Sequence, residues 1–180
     1  MPLLQRSVGS RESLCIEFEV NSDLDAPVNT WWGRIALWVA GNLVGDNSEV
    51  EMVSLGVGIL LSAALQTGSR RNDVLSSLSP GEALDLVMWA VYGEENPRFR
   101  ELVGSTDLSM FEVLPRGGPF FDDWQAILLE EHEQERFICR KEGASPFEVT
   151  WPIGTFKHVV FQAVSELKRL QTLPPDGTIH

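Results

Sequence analysis

The chain reads as an α+β protein, a single domain in which a mainly antiparallel sheet packs against about three helices. Three observations predict this. Apolar alternation at Leu14, Ile16, Phe18 and Val20 marks a half-buried strand. An aromatic run from Trp31 to Val39 breaks at Gly41-Asn42 and returns through Leu43–Gly45, the pattern of a hairpin. The stretches Met52–Gln66 and Ser79–Gly93 then change to helical spacing.

Taken in order, the elements follow from local chemistry. The polar stretch Asn21–Asn29, with Asp23, Asp25 and Pro27, is a loop. The strands around it and the hairpin return form one antiparallel meander. Along Trp31–Val39, Trp31, Ile35, Leu37 and Val39 share one side and should face the core. Trp32, Arg34, Ala36 and Trp38 share the mixed side, which lies under a helix or is available to a partner. Met52–Gln66 is apolar on nearly every side, so it belongs centrally, against the sheet. Gly56 and Gly58 weaken it by about 1 kcal/mol each against Ala, or permit close approach to the strands. Gly68 is expected as its left-handed end. Ser79-Pro80-Gly81-Glu82 is a capping box with Pro at the first helical position, followed by the stripe Leu84, Val87, Met88 and Val91.

The connection Ser69–Ser79 is polar, and Pro97–Gly104 adds an irregular turn. Leu108–Leu114 is expected as a strand and Pro115–Pro119 as a loop. Trp124–Glu130 and Arg136–Lys141 read as strands around the loop Glu131–Glu135, and Phe147–Trp151 as a further strand. Thr155 caps a final helix whose apolar face is Phe156, Val160, Ala163, Leu167 and Leu170. The domain is therefore placed at 14–171, after an N-terminal extension at 1–13 and before a tail at 172–180 expected to be disordered.

Composition narrows the function. Fourteen Lys and Arg against 26 Asp and Glu give a net charge of −12. Nucleic acid and anionic membranes repel such a surface, so a cationic protein is the natural partner, unless the charge serves solubility alone. Cys15 and Cys139 lie in expected strands without metal spacing and read as small buried hydrophobes, not a disulfide. No signal-peptide pattern is present at Met1–Ser13, and the longest apolar run is shorter than the ~20 residues needed to span a bilayer. A soluble cytoplasmic protein is expected.

No catalytic pattern stands out. Ser54-Leu55-Gly56-Val57-Gly58 lies in an apolar helix, not at the strand-to-helix turn a nucleophile elbow needs. No glycine-rich phosphate loop opens a helix. His132-Glu133-Gln134-Glu135 lacks the second histidine of a zinc helix, and His158 is expected to be a satisfied structural histidine. Asp122-Asp123 would point to opposite strand faces, which suits a loop boundary better than an acid/base pair. No cofactor or metal is expected. The carboxylates of Asp122, Asp123, Glu130, Glu131, Glu133 and Glu135 fall in a stretch free of Lys and Arg. They predict an acidic knob at a hairpin tip, either attracting a basic surface or guarding against aggregation.

The pattern Trp-Gly-Arg-x-x-x-Trp-x-x-Gly-Asn-x-x-Gly-Asp at Trp32–Asp46 resembles the immunity protein 42 family of bacterial polymorphic-toxin systems. So do Leu86–Gly93 with its Tyr92-Gly93 ending, Phe121-Asp122-Asp123-Trp124 and Pro152-Ile153-Gly154-Thr155-Phe156. The similarity runs in order from about Leu14 to Leu170. It implies a cytoplasmic antidote that binds a cognate toxin domain, without catalysis and without catalytic residues to transfer. The acidic surface then suggests a basic toxin, plausibly a nuclease, met by Asp46, Glu49 and Glu51 of one loop and by the Asp122–Glu135 carboxylates. A non-toxin binding or regulatory module, and an enzyme with an unrecognised carboxylate site, stay open at this point.

Overall fold

A computed structural model describes residues 3–21, 31–46, 48, 50–93, 97–103, 106–114 and 120–171. The loops expected at 22–29 and 115–119 and the tail 172–180 lie outside the described residues. The fold is α+β. Five strands form a first antiparallel sheet: β1 (Leu3–Gly9), β2 (Leu14–Asn21), β3 (Trp32–Val39), β4 (Asn42–Val44) and β5 (Glu51–Met52). Its order is β1-β2-β3-β4, with the short β5 also on β3. A second antiparallel sheet contains β6 (Trp124–Glu131), β7 (Gln134–Lys141) and β8 (Phe147–Pro152). The helices are α1 (Val53–Ala64), α2 (Asp73–Ser77), α3 (Pro80–Tyr92), α4 (Pro97–Val103) and α5 (Thr155–Gln171).

These elements stack as sheet, helices, sheet, helix. The inner face of the first sheet, with Ile16, Phe18, Ile35 and Leu37, packs on α1 and α5. The other side of that helix layer meets Ala126, Leu128, Phe137 and Cys139 of the second sheet. The opposite face of the second sheet, with Ile127, Leu129 and Ile138, packs on Leu84 and Val87 of α3 and on Phe111. Both faces of β6 and β7 are thus apolar, and each fully buried Leu, Ile or Phe there contributes about 1.5–3 kcal/mol.

The final helix follows its pattern: Phe156, Val160, Ala163, Leu167 and Leu170 are all buried. In α3 the capping box forms, with the Ser79 side chain accepting from the Glu82 N–H and Glu82 reaching back. α1 is central but not enclosed, since Leu55 and Leu65 are exposed. Its glycines differ. A Cβ on Gly56 would meet the Phe120 ring at 2.9 Å, whereas one on Gly58 would meet nothing within 4 Å. Close approach therefore explains Gly56 alone.

Several expectations are corrected. Residues 3–9, assigned to an extension, form β1 and pair along their length with β2. The hairpin turn is Ala40-Gly41, both at positive φ (47° and 80°), and Asn42 begins the return strand β4 at Asn42–Val44. That two-residue turn matches the strand twist, and Asn42 Nδ2 donates to the Val39 and Ala40 carbonyls beside it. Leu108–Leu114 is not a strand. Asp107 accepts from the Ser109 N–H, starting a 3-10 turn at Ser109–Phe111, and only a bridge from Glu112 to Ile127 follows. Its apolar residues act as buried pegs, a role that a short apolar run shares with strands. The polar connection at 69–79 contains α2, and Pro97–Val103 is the full helix α4.

The mixed face of β3 points away from the helix layer, and no described helix covers it. Trp38 Nε1 donates to Glu17 at 3.0 Å, and the Arg11 guanidinium sits 4.3 Å from the Trp38 ring centre. Arg11 also holds Glu17 through two bonds of 2.7 and 2.6 Å, which keeps that carboxyl below its usual range. Trp32 on the same face is 38% exposed.

Replacing Gly58 by Ala should raise stability by up to about 1 kcal/mol, because helix propensity improves in open space. Gly56→Ala should lower it by about 1–3 kcal/mol through contact with Phe120. Urea unfolding of the two variants checks the opposite signs.

Candidate functional site

The carboxylates Asp122, Asp123, Glu130, Glu131, Glu133 and Glu135 fall at two opposite ends of the second sheet. Trp124 pairs with Lys141 at one end of the β6–β7 hairpin and Glu131 with Gln134 at the other. Seven residue steps separate them, roughly 23 Å at strand rise. They do not form one surface.

At the first end, three chain-distant segments meet. The Asp46 N–H donates to the Phe120 carbonyl at 2.8 Å, tying the loop after β4 to the turn before β6. Gly45 at φ +101 makes this approach possible, since a Cβ would lie 2.7 Å from the Phe120 oxygen. Phe120 and Phe121 are buried beneath, and the Trp124 N–H closes the turn onto the Phe121 carbonyl at 2.8 Å. The Glu142 N–H, in the β7–β8 turn, donates to the Asp123 carbonyl at 2.7 Å. Backbone bonds thus fix Asp46, Asp122, Asp123 and Glu142 on one exposed rim, with Lys141 among them. Asp46 accepts from the Ser48 N–H at 2.8 Å, and that bond holds its carboxyl below the usual range. Glu49 lies outside the described residues. Glu51, in β5, is half-buried opposite Gly33.

The second end is not the knob of four exposed glutamates that was expected. The turn is tight: only His132 and Glu133 lie between paired Glu131 and Gln134, with His132 at φ +51. Strand alternation therefore continues through Glu130 and Glu135, which face each other on the side of Leu128 and Phe137. Glu130 is 3% exposed and accepts from the backbone N–H groups of Gly68 at 2.5 Å and Arg70 at 3.4 Å. Glu135 is fully buried and accepts from Gly154 at 2.8 Å and Phe156 at 2.9 Å, capping the start of α5. Burial raises the Glu135 carboxyl above its ordinary range, against the pull of those two N–H donors. Glu131 lies 3.4 Å from Arg136, which also binds Glu148 at 2.8 Å. Of the four glutamates, Glu133 alone is fully exposed.

Arg70 completes the inner cluster and had no sequence signal, standing beside Arg71 in a polar stretch. It is fully buried; Nε donates to the Met110 carbonyl and Nη2 to that of Ala63, both at 2.6 Å. Desolvation lowers its pKa to about 10, with Glu130 and Glu135 opposing. Glu142 was also missed, although Glu-Gly after a strand carries the same turn signal as other loops. His158, expected as a satisfied structural histidine, is exposed beside the buried face of α5, and both cysteines are buried and free. Among the described residues, no group of three His, Cys, Asp or Glu side chains could hold a metal ion. Nor is any described helix long and apolar enough to cross a membrane.

The signature of immunity protein 42 matches residues 6–166, nearly the whole chain. The chain belongs to the immunity protein 42 family. Among solved structures, CdiI from Burkholderia dolosa AUO158 is similar in fold, with a TM-score of 0.66 at 14% identity. The match covers 89% of this chain and 99% of that one. Comparison with curated proteins gives no match.

Glu130→Ala would take the acceptor from the buried Arg70 N–H and the part-buried Gly68 N–H and remove the larger carboxylate attraction on the Arg70 guanidinium, at a cost of about 3–5 kcal/mol. Glu135→Ala should cost about 1–3 kcal/mol, and Glu133→Gln less than about 0.5 kcal/mol. Because the folded pKa of Glu135 is raised, the native state holds its proton longer. Its contribution makes stability fall as pH rises from the ordinary carboxylate pKa through the raised one. Chemical denaturation across pH 4–7 should show wild type losing stability relative to Glu135→Gln as pH rises, the other carboxylates titrating alike in both.

Proposed function

We propose that this protein neutralises a cognate toxin domain by binding it stoichiometrically in the cytoplasm and occluding its working surface, without catalysis. Membership of the immunity protein 42 family carries this reading. The contact surface assigned to the toxin is the rim bearing Asp46, Asp122, Asp123 and Glu142, with Glu49 and Glu51 in the adjoining segment. Backbone bonds join the three segments that carry these carboxylates, so little main-chain ordering is required on docking. An acidic rim on a chain of net charge −12 suits a basic partner, such as a nuclease that must itself grip phosphate. Glu130 and Glu135 are assigned to the fold, not to this contact, because their oxygens are already engaged with backbone donors.

Affinity capture from the native host supplies the test. A captured basic domain that kills cells when expressed alone, and spares them when this protein is co-expressed, supports neutralisation. Recovery of a non-toxic assembly alone would sink it. With the toxin in hand, joint replacement of Asp46, Asp122 and Asp123 by Asn and Glu142 by Gln should slow association at least tenfold at low salt. The difference should shrink as salt is raised. Stopped-flow rates that are equal for both proteins at every ionic strength would remove the acidic rim from the interface.

A further inference from the structure

We infer that the free edge of β1 is a self-association seam, at which two copies pair β1 against β1 to make one continuous sheet. β1 is seven residues long and pairs with β2 in unbroken register, Leu3 with Asn21 through Gly9 with Cys15. It ends the sheet, and among the described residues nothing pairs with its other side. The direction of its backbone groups is fixed by two bonds on β2. The Leu14 carbonyl accepts from Ser10 at 3.0 Å, on the β1 side, and the Ser13 carbonyl accepts from Ala40 at 2.8 Å, on the β3 side. Antiparallel alternation then commits Leu4, Arg6 and Val8 to the β2 ladder and turns the N–H and C=O groups of Gln5 and Ser7 outward.

The remaining edges are guarded more heavily than this one. β6 receives the Val113 N–H at its Ala126 carbonyl and gives its Glu130 N–H to the Arg70 carbonyl. β8 carries Glu148 and Pro152, and β4 and β5 are three and two residues long. β1 contains no Pro and no Lys; its one charge, Arg6, is 3.5 Å from Glu166 of α5 and donates from Nη1 to the outward Gln5 carbonyl at 2.8 Å, so a second strand must displace that one side-chain bond. A regular strand without Pro or bulge, its edge crossed by a single exposed side-chain bond, is a template for another strand.

Chemistry beside the edge selects the occupant. A concavity of about 450 Å³ runs between β1 and α5, lined by Val8, His158, Phe161, Gln162 and Ser165, with Phe161 40% exposed. Its one carboxylate, Glu166, already pairs with Arg6 and Arg169, and Lys157 lies 5.7 Å from the Phe161 ring centre. A basic partner finds no uncommitted carboxylate there. A second copy does better, because two chains of −12 repel wherever their acidic surfaces meet, and this face, with Arg6, Arg169 and Lys157 around the single Glu166, keeps those surfaces apart. A two-fold pairing is also self-complementary, presenting each Phe161 to the concavity of its partner.

Sedimentation of the full chain tests the seam. The expected result is a concentration-dependent dimer of twice the 20.1 kDa chain mass, tighter at about 300 mM than at about 20 mM salt as repulsion is screened. Toxin binding through the acidic rim has the opposite salt dependence, so the two readings fail separately. Ser7→Pro deletes an outward N–H, which an edge strand tolerates, together with the Ser7 hydroxyl contacts to Cys15 and Glu17, and should leave a monomer with an unchanged circular dichroism spectrum. Phe161→Glu, on the solvent side of α5, should weaken the dimer at least tenfold without touching the strand. A wild type that stays monomeric at about 0.2 mM in both salts would overturn the seam. So would variants that dimerise as tightly as wild type, or a Ser7→Pro protein that loses toxin binding instead of self-association.

Discussion

Two carboxylates inside the second sheet hold the helix layer in register with it. Glu130 reaches the chain leaving α1, through Gly68 and Arg70, and Glu135 reaches the chain entering α5, through Gly154 and Phe156. α1 and α5 are the helices on which the first sheet rests, so its position depends on where these glutamates place their ends. Arg70 answers the buried charge and ties the same region to the Ala63 and Met110 carbonyls. Apolar burial supplies the bulk of the stability, but it is non-directional and would tolerate several helix placements. Satisfying buried ionised groups leaves fewer arrangements, because a misplaced helix end would strand a charge.

The surface charge is divided in a way that composition alone does not reveal. The rim at Asp46, Asp122, Asp123 and Glu142 is acidic and its segments are joined by backbone bonds, whereas on the β1–α5 face the one carboxylate, Glu166, is shared by Arg6 and Arg169. A chain with this distribution can approach a basic protein with one end while another face stays indifferent to it. Long-range attraction falls with salt and short-range edge pairing does not, so ionic strength separates the two kinds of encounter.

Much of the fold was legible in the sequence. Period-2 and period-3.6 patterns located β2, β3, β6, β7, β8, α1, α3 and α5, and the parity of β3 identified its core face. The failures have physical causes. β1 is short and carries Gln5, Arg6 and Ser7 between its apolar residues, so it lacks the alternation of a half-buried strand until β2 is beside it. The Leu108–Leu114 run is apolar because it is pegged into a core, a requirement that strands and turns share. The acidic rim was legible in part: Asp46, Asp122 and Asp123 were named, but their meeting depends on the Asp46–Phe120 bond between distant segments. Glu130 and Glu135 were named for the wrong place. Placing five residues in the turn concealed that strand alternation ran through both of them.

That tight turn has a consequence for how the protein can diverge. Adding or removing one residue at His132-Glu133 would shift the parity of one strand against the other and turn a buried carboxylate toward solvent. The tip is therefore closed to changes in length. The segments after β4, before β6 and between β7 and β8 join elements whose own pairings do not depend on their lengths in this way. Recognition of new partners can drift at the acidic rim by insertion as well as substitution, while the far tip of the same hairpin keeps the scaffold constant.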